Sequence, residues 1–498
     1  MFRQGSPGMK ICLVNSNISQ KGSDGDMQIV NFQRGFLNLA AFLEKNGYVV
    51  NVVDLGWLYK QGKLEINANF HRNAAKHIIR QGIDIIGFNT RCDTYPNVVN
   101  LARKCKEFNP NATIIFGGPQ ASFTDEETLK KLPFVDIVVR GEGEYAMSEL
   151  ADALACRRDY HGIENLWLRN NNEIIKNQIR PLIKCLDQLP FPDKSSFDYQ
   201  RQIDQARGLN RFIFSRGCVY NCTYCSNKVL QDIYKGEYFR LLSVQKAIRE
   251  IELDENKFRF RSIFFDDDTI TLDSKWFYDF FTLYKKKFKY PFFCNIRAEL
   301  INESQVKLLK DAGCICVGIG VEHGDENFRK TVLKKDITNQ QIINTFKLFK
   351  KQGISCYAQV MVGLPFENKK LFLETVKLVR QIQVAKKFIY IFSPYPGTEL
   401  AKICQANNWL PNIQDYRERE KAVINYPGFS RKEIQFCHDI FPALLRFKFI
   451  PLRIVEKWSW AVLLFIPLEI ISRCDWIMAP FYKLSEYFKG LMNATDKT

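Results

Sequence analysis

The chain has 498 residues, 46% hydrophobic and 25% charged, which excludes a disordered polymer and supplies core for two to four domains. Its 71 basic and 54 acidic residues leave a formal charge of +17, which points either to an anionic partner or to solvated lysine-rich faces. Fifteen cysteines, an odd number, without a leader-like apolar start, argue for a reducing cytoplasmic setting and against a disulfide framework.

Residues 1–8 read as a tail, and short apolar runs then alternate with amphipathic stretches. Strands are predicted at 10–14, 49–55, 83–88, 112–116 and 136–139, and helices at 33–45, 98–108 and 145–155. Thr124-Asp125-Glu126-Glu127 has the form of a capping box for a further helix. This alternation predicts an α/β domain over 9–160 with a doubly wound parallel sheet, Rossmann- or flavodoxin-like. A ligand of such a sheet belongs at the carboxyl ends of its strands. Those ends read Asn89-Thr90-Arg91, Phe116-Gly117-Gly118-Pro119-Gln120 and Arg140-Gly141-Glu142-Gly143-Glu144. Glycine-rich edges suit a large flat ligand's side chains or a phosphate, and a plain scaffold explains them equally well.

Residues 165–169 and 173–176 flank Asn170-Asn171-Asn172 as a hairpin, and Leu189-Pro190-Phe191-Pro192-Asp193 reads as extended linker, so 161–205 is expected to join two domains. Next comes Phe214-Ser215-Arg216-Gly217-Cys218-Val219-Tyr220-Asn221-Cys222-Thr223-Tyr224-Cys225, which places three cysteines within eight residues. Core filler does not concentrate thiols this way. A zinc site wants a fourth ligand from a second Cys or His pair, and none of His71, His77, His161, His323 and His438 is close in sequence. Three thiolates can hold a four-iron cube and leave one iron open to another ligand.

Apolar runs at 211–214, 262–265, 292–296, 314–321, 357–362 and 387–392 alternate with helical stretches, which predicts a partial (β/α)6 barrel over 206–410, open on one side. Ligand groups gather at carboxyl ends of barrel strands. Here those ends carry Asp266-Asp267-Asp268, Arg297, Glu322-His323-Gly324 and Gly363-Leu364-Pro365, while Gly318, Gly320 and Gly324 fit close backbone approach to a ligand or relief of packing. Lys285 to Lys287 and Lys334-Lys335 read as solvated charge. No recognition helix or RNA-binding signature accompanies them, so nucleic acid is not an expected partner.

A mostly helical region, 411–498, follows. Its apolar stretches at 441–448 and 458–471, the second interrupted by Pro467 and Glu469, are too short for a membrane span. Two readings stay open: helices packed as a lid on the barrel, or an interfacial helix flanked by Arg453, Lys457, Arg473, Trp458, Trp460 and Trp476 that reaches a lipid-like substrate.

C-x-x-x-C-x-Tyr224-C resembles the radical S-adenosylmethionine (SAM) superfamily. That resemblance implies a [4Fe-4S] cluster on Cys218, Cys222 and Cys225, whose open iron chelates SAM and cleaves it to a 5'-deoxyadenosyl radical. It carries Tyr224, Asp267 and Asp268 onto SAM and its amino group, Arg297 onto its carboxylate and Glu322 onto its ribose. Gly363 opens the loop toward adenine, where this chain has Gly363-Leu364-Pro365-Phe366 in place of Gly-Leu-Pro-Gly. Together with G-G-P-Q-A-S and G-E-G-E, the chain resembles the cobalamin-binding class of these enzymes. Cobalamin contacts are then implied at Thr90, Arg91, Gly117, Gly118, Pro119, Gln120, Gly141, Glu142, Gly143 and Glu144. No D-x-H-x-x-G motif is present, so the cobalt's lower face lacks a His ligand from this chain.

The implied function is methylation of an unactivated carbon of a small-molecule or lipid-like substrate, with electrons from a flavodoxin- or ferredoxin-type donor. Cyclisation or rearrangement with the same cofactors, a domain that has lost cobalamin, and a non-enzymatic iron-sulfur or cobalamin-responsive protein are the alternatives. Tyr395, Glu367 and His323 are candidates for a substrate base. The expected location is cytoplasmic, with membrane association only through the C-terminal region.

Overall fold

The structure, a computed structural model, describes residues 9–457 except 17, 21–26, 30–33, 80–81, 172, 193, 196–197, 235–236, 383, 385, 411–420 and 449–450. The chain divides into two compact units. One takes in the chain to Asp198, Phe214–Glu250 and Ser393–Arg419; the other takes in Tyr199–Ile213, Ile251–Phe392 and the chain from Glu420.

In the first unit, strand β1 (Lys10–Asn15) is buried beyond its first residue. A ribbon of β2 (Ile18–Gln20) and β3 (Met27–Ile29) follows it. The main sheet adds β4 (Val49–Asp54), β5 (Ile85–Asn89), β6 (Thr113–Gly117), β7 (Ile137–Val139), β8 (Leu166–Asn170) and β9 (Glu173–Lys176) in the order β4-β1-β5-β6-β7-β8-β9. The first five strands in that order run parallel. Alternate residues feed opposite cores, as a two-sided sheet requires. Cys12, Val14 and Phe88 pack with the helices Phe70–Ile79 and Tyr95–Phe108, while Ile11, Leu13 and Ile85 pack with Arg34–Lys45 and Glu144–Ala155. Because β4 and β5 flank β1, the switch point lies at the ends of β1 and β5.

Two local expectations change. The hairpin β8–β9 pairs antiparallel with β7 and so extends the sheet. Thr124 precedes the helix Asp125–Lys131 but makes no side-chain cap; its hydroxyl donates instead to the Gln120 carbonyl at 2.9 Å, one turn back. This unit also contains a short antiparallel ribbon, β11 (Ser215–Arg216) with β12 (Arg240–Leu241).

The second unit is built on β10 (Leu209–Phe212), β13 (Ser262–Phe265), β14 (Phe292–Ile296), β15 (Cys314–Glu322), β16 (Ser355–Val362) and β17 (Lys386–Ile391). All pair parallel in that order, with β10 and β17 as the two edges of an unclosed sheet. The first of these strands lies two residues before its predicted position. The helix Ser274–Lys287 shows how a helix is held here. Asp273 caps it by accepting from the Trp276 N–H, and Trp276, Phe277, Phe280, Phe281 and Tyr284 fall on one buried face. Phe265 meets Phe280, Phe281, Tyr284 and Phe292 edge-on, with centroids 5.1 to 5.9 Å apart. Such pairs contribute about 0.5–1.5 kcal/mol each beyond burial. Lys285, Lys286 and Lys287 end the helix, where cations oppose its negative pole.

The apolar stretch at 441–448 is mostly part of the helix Arg431–Arg446, which packs on the helix Lys369–Gln381. Phe441 and Leu444 are buried, and Arg380 donates to the Leu444 carbonyl at 2.7 Å. That stretch is a lid on this unit. The stretch at 458–471 and its tryptophans lie outside the described residues. Among the described residues no helix is long and apolar enough to cross a membrane.

Candidate functional site

The cysteine segment leaves the β11–β12 ribbon, and the Leu242 N–H closes it on the Phe214 carbonyl at 2.8 Å. Gly217 turns the chain at φ 85°, where a Cβ would sit 2.5 Å from the Tyr238 carbonyl oxygen, so no side chain fits immediately before Cys218. The Cys225 N–H donates to the Cys222 carbonyl at 3.1 Å, and the helix Ser226–Tyr234 begins at the next residue. Cys222 is buried, Cys218, Cys225 and Tyr224 are half-buried, and none of the three cysteines is in a disulfide. Among the described residues no three Cys, His, Asp or Glu side chains converge on a single-ion site. A four-iron cube takes one thiolate per iron and does not need such convergence. The barrel cysteines differ in kind: burial pushes the Cys316 thiol up to about 12, the behaviour of a neutral core group.

In the second unit the carboxyl ends of the strands carry the remaining expected residues. After β13, Asp266 pairs with Arg211 at 3.0 Å, Asp267 is buried and Asp268 is exposed. Arg297 follows β14, buried, with Nε donating to Glu299 at 2.6 Å. Glu322 ends β15 at φ 63°, beside a register shift against β16. Its carboxylate lies 3.1 Å from Lys335 Nζ, which also donates to the Gly320 carbonyl at 2.6 Å. Lys335 is therefore a buried positioning cation rather than solvated charge, and Glu299 is a second residue that sequence reasoning missed.

The glycines in and just after β15 do not open space for a ligand. A Cβ on Gly318 would meet Tyr357 and Asn295, one on Gly320 would meet Glu322 and Lys335, and one on Gly324 would meet the backbone at Glu374. After β16, Gly363 sits at φ 82° and Phe366 at φ 69°, with Phe366 53% exposed. The position that is glycine in the related motif thus keeps glycine's left-handed backbone while carrying a phenyl ring, a strained arrangement. His323 and Glu367 are both fully enclosed, which removes them as substrate bases. Sequence reasoning also missed Arg329, which is buried and donates to the His323 and Ile337 carbonyls and to Asn339.

On the sheet of the first unit, Thr90 is buried and links two edge loops: its hydroxyl donates to the Gly117 carbonyl at 2.8 Å and accepts from the Ala121 N–H at 2.9 Å. Arg91 is turned to Asp93. Gly118 has φ 92° and ψ −177°, and a Cβ there would overlap Asn89 Oδ1, so the loop before Pro119 admits only glycine. Gly141, at φ 66°, lies against the Tyr234 ring. Gly143 precedes the helix Glu144–Ala155. The carboxylates of Glu142 and Glu144 are engaged by Arg216, and Glu142 also by Arg240. Two residues not anticipated, Asn15 and Ser16, stand at the end of β1, each 3% exposed. Among the described residues Asn15 Oδ1, Ser16 Oγ and Gln120 Oε1 are buried without a hydrogen-bond partner. Buried polar atoms are rarely left so.

The pattern of the Radical SAM superfamily matches residues 212–379, and that of the B12 binding domain matches residues 30–151. An uncharacterized methyltransferase of Pyrococcus horikoshii is 31% identical over 337 residues, 68% of this chain and 72% of that protein. An anaerobic magnesium-protoporphyrin IX monomethyl ester cyclase of Rubrivivax gelatinosus is 26% identical over 64% of this chain, which spans 58% of the cyclase's length. Among solved structures, the radical SAM methyltransferase TsrM from Kitasatospora setae, with cobalamin and a [4Fe-4S] cluster bound, shares the fold at a TM-score of 0.66, 16% identity, 80% of this chain and 78% of that chain. The family's cofactors are a [4Fe-4S] cluster, SAM and cobalamin, and the edges described above carry donors of the kinds these need. The chain belongs to the cobalamin-binding radical SAM enzymes.

Proposed function

We propose that the chain methylates an unactivated carbon of a small molecule. The observation that carries this reading is that a cluster-type cysteine loop and a cobalamin-type sheet edge belong to one compact unit. When bound, the cluster with SAM supplies a hydrogen-abstracting radical and cobalamin supplies the methyl group. Cys218, Cys222 and Cys225 hold the cluster. Asp267 and Asp268 take the ammonium of SAM, Arg297 its carboxylate, Glu322 its ribose and the Gly363 loop its adenine, with Tyr224 adjacent.

Gly117, Gly118 and Gly141 bring no side chains of their own to the first unit's sheet edge, where Asn89 lies against Gly118 and Tyr234 against Gly141. The unmet acceptors of Asn15, Ser16 and Gln120 suit a corrin's peripheral amides. Three histidines belong to this unit; His71 and His77 lie on the helix Phe70–Ile79, and His161 pairs with Asp159 beyond the helix Glu144–Ala155. The absence of a D-x-H-x-x-G motif is what supports a cobalt without a His ligand from this chain. An external one-electron donor of flavodoxin or ferredoxin type completes the requirement.

The cyclase relative favours a second reading, radical cyclisation without methyl transfer. Anaerobic turnover of the reconstituted protein with a candidate substrate distinguishes them. S-adenosylhomocysteine and 5'-deoxyadenosine in equal amounts support methylation, whereas 5'-deoxyadenosine alone refutes it. Absence of stoichiometric cobalt binding also refutes it.

A further inference from the structure

Glu142 and Glu144 lie where a ligand was expected, yet their carboxylates reach the cysteine segment. Arg216 Nη1 donates to Glu142 at 2.9 Å and Nη2 to Glu144 at 2.6 Å, so one planar guanidinium spans both acids. Arg240, across the ribbon from Arg216, donates to the other oxygen of Glu142 at 3.1 Å and to the Ile183 carbonyl at 2.8 Å. The Glu142 N–H donates to the hydroxyl of Tyr234, the last residue of the helix that begins after Cys225. The side chains of Arg216, Arg240, Glu142 and Glu144 are at most 22% exposed. The loop 141–144 therefore grips the cysteine segment on both sides: Arg216 lies two residues before Cys218, and Tyr234 nine after Cys225.

We propose that Arg216, held by Glu142 and Glu144, is a positioning residue for the iron-sulfur cluster, and that the loop after β7 is thereby a working part of the cluster site. This rests on the assignment of a cluster to Cys218, Cys222 and Cys225. An eight-residue loop must present its thiolates at the corners of a rigid cube, and a loop free at either end loses conformational entropy in doing so. Ion pairs at the entry and a hydroxyl contact at the exit remove that freedom beforehand. The arrangement is the cluster's counterpart of the groups that orient ligands from behind in other metal sites.

The test uses the full chain, reconstituted anaerobically with iron and sulfide. Iron release to a ferrous chelator and the EPR spectrum of the reduced cluster, with and without SAM, are measured for wild type, R216A, E142Q/E144Q and the triple variant. Iron release is expected to be about tenfold faster in R216A and in E142Q/E144Q, with the triple variant no faster than either, because the groups act as one network. The SAM-induced change in the EPR spectrum, which general loss of stability would not move in a folded protein, is expected to weaken in parallel. Should the neutral variants fail to fold, E142D/E144D keeps the charges while withdrawing them, and faster release is expected there as well. Wild-type release with an unaltered SAM response, or strictly additive effects, overturns the proposal. A wild type that takes up no [4Fe-4S] cluster overturns the cluster assignment and the proposal together.

Discussion

Replacing Glu367 with Gln exchanges one carboxylate oxygen for NH2 in a site that is 1% exposed, and the surrounding hydrogen bonds state its cost. Glu367 Oε2 accepts the Gly363 N–H at 2.6 Å and the Leu364 N–H at 3.0 Å, which pins the turn after β16. Oε1 faces His323 Nε2 at 3.3 Å, close but outside hydrogen-bond alignment. Because His323 Nδ1 accepts the Asp325 N–H at 3.1 Å, the ring proton sits on Nε2. A glutamine that keeps its single oxygen on the two amides must therefore turn its NH2 toward an N–H. Two charge-assisted bonds weaken by about 1 kcal/mol each, and the donor set against a donor adds about 1 more, for a loss of about 3 kcal/mol. Denaturant unfolding followed by circular dichroism measures the loss, and hydrogen exchange at Gly363 and Leu364 localises it. SAM affinity should fall with it, since the same turn carries Gly363, proposed above to meet the adenine. A Glu367→Gln protein less than about 0.5 kcal/mol weaker, with unchanged exchange, would refute the reasoning.

Cys218→Ala, Cys222→Ala and Cys225→Ala should each abolish [4Fe-4S] content, while Cys316→Ala, in the neutral core, keeps it; iron and sulfide analysis reads both. Ser16→Ala removes a buried hydroxyl that has no partner, so the cobalamin-free protein should gain about 1 kcal/mol while cobalamin affinity falls, by calorimetry and absorbance titration. Lower stability with unchanged affinity would contradict a ligand role. Burial holds the His71 imidazole below its ordinary value of 6.5, so the unfolded chain binds the proton first. Stability should thus be complete above pH 6.5 and decline as pH falls below it, and His71→Gln should flatten that decline in urea midpoints.

The strands were legible because each is a short apolar run bounded by polar residues, and Ser262–Phe265 and Phe292–Ile296 fall where the pattern puts them. The cysteine spacing was legible because its ligands lie within eight residues. The roles of Glu142 and Glu144 were not, since a carboxylate between glycines at a strand end looks the same whether it meets a ligand or an arginine 74 residues away. Lys335 was hidden for the same reason: only the fold reveals that it is buried against Glu322. Gly318 and Gly320 report close approach, but sequence does not say whether a ligand or a Tyr357 hydroxyl does the approaching. Asn15 and Ser16 carried a usable signal, two polar residues directly after the central strand of a doubly wound sheet.

The first unit is assembled from three separate stretches of chain, the last of them ending at Arg419. On a ribosome adding about 5–20 residues per second, that piece emerges roughly ten to forty seconds after Asp198. Arg216 and Arg240, the partners of Glu142 and Glu144, follow roughly one to eight seconds after Asp198, and for the rest of the interval three thiols stand in a segment whose unit is unfinished. A fragment that ends near residue 198 lacks two of the three stretches that make up this unit.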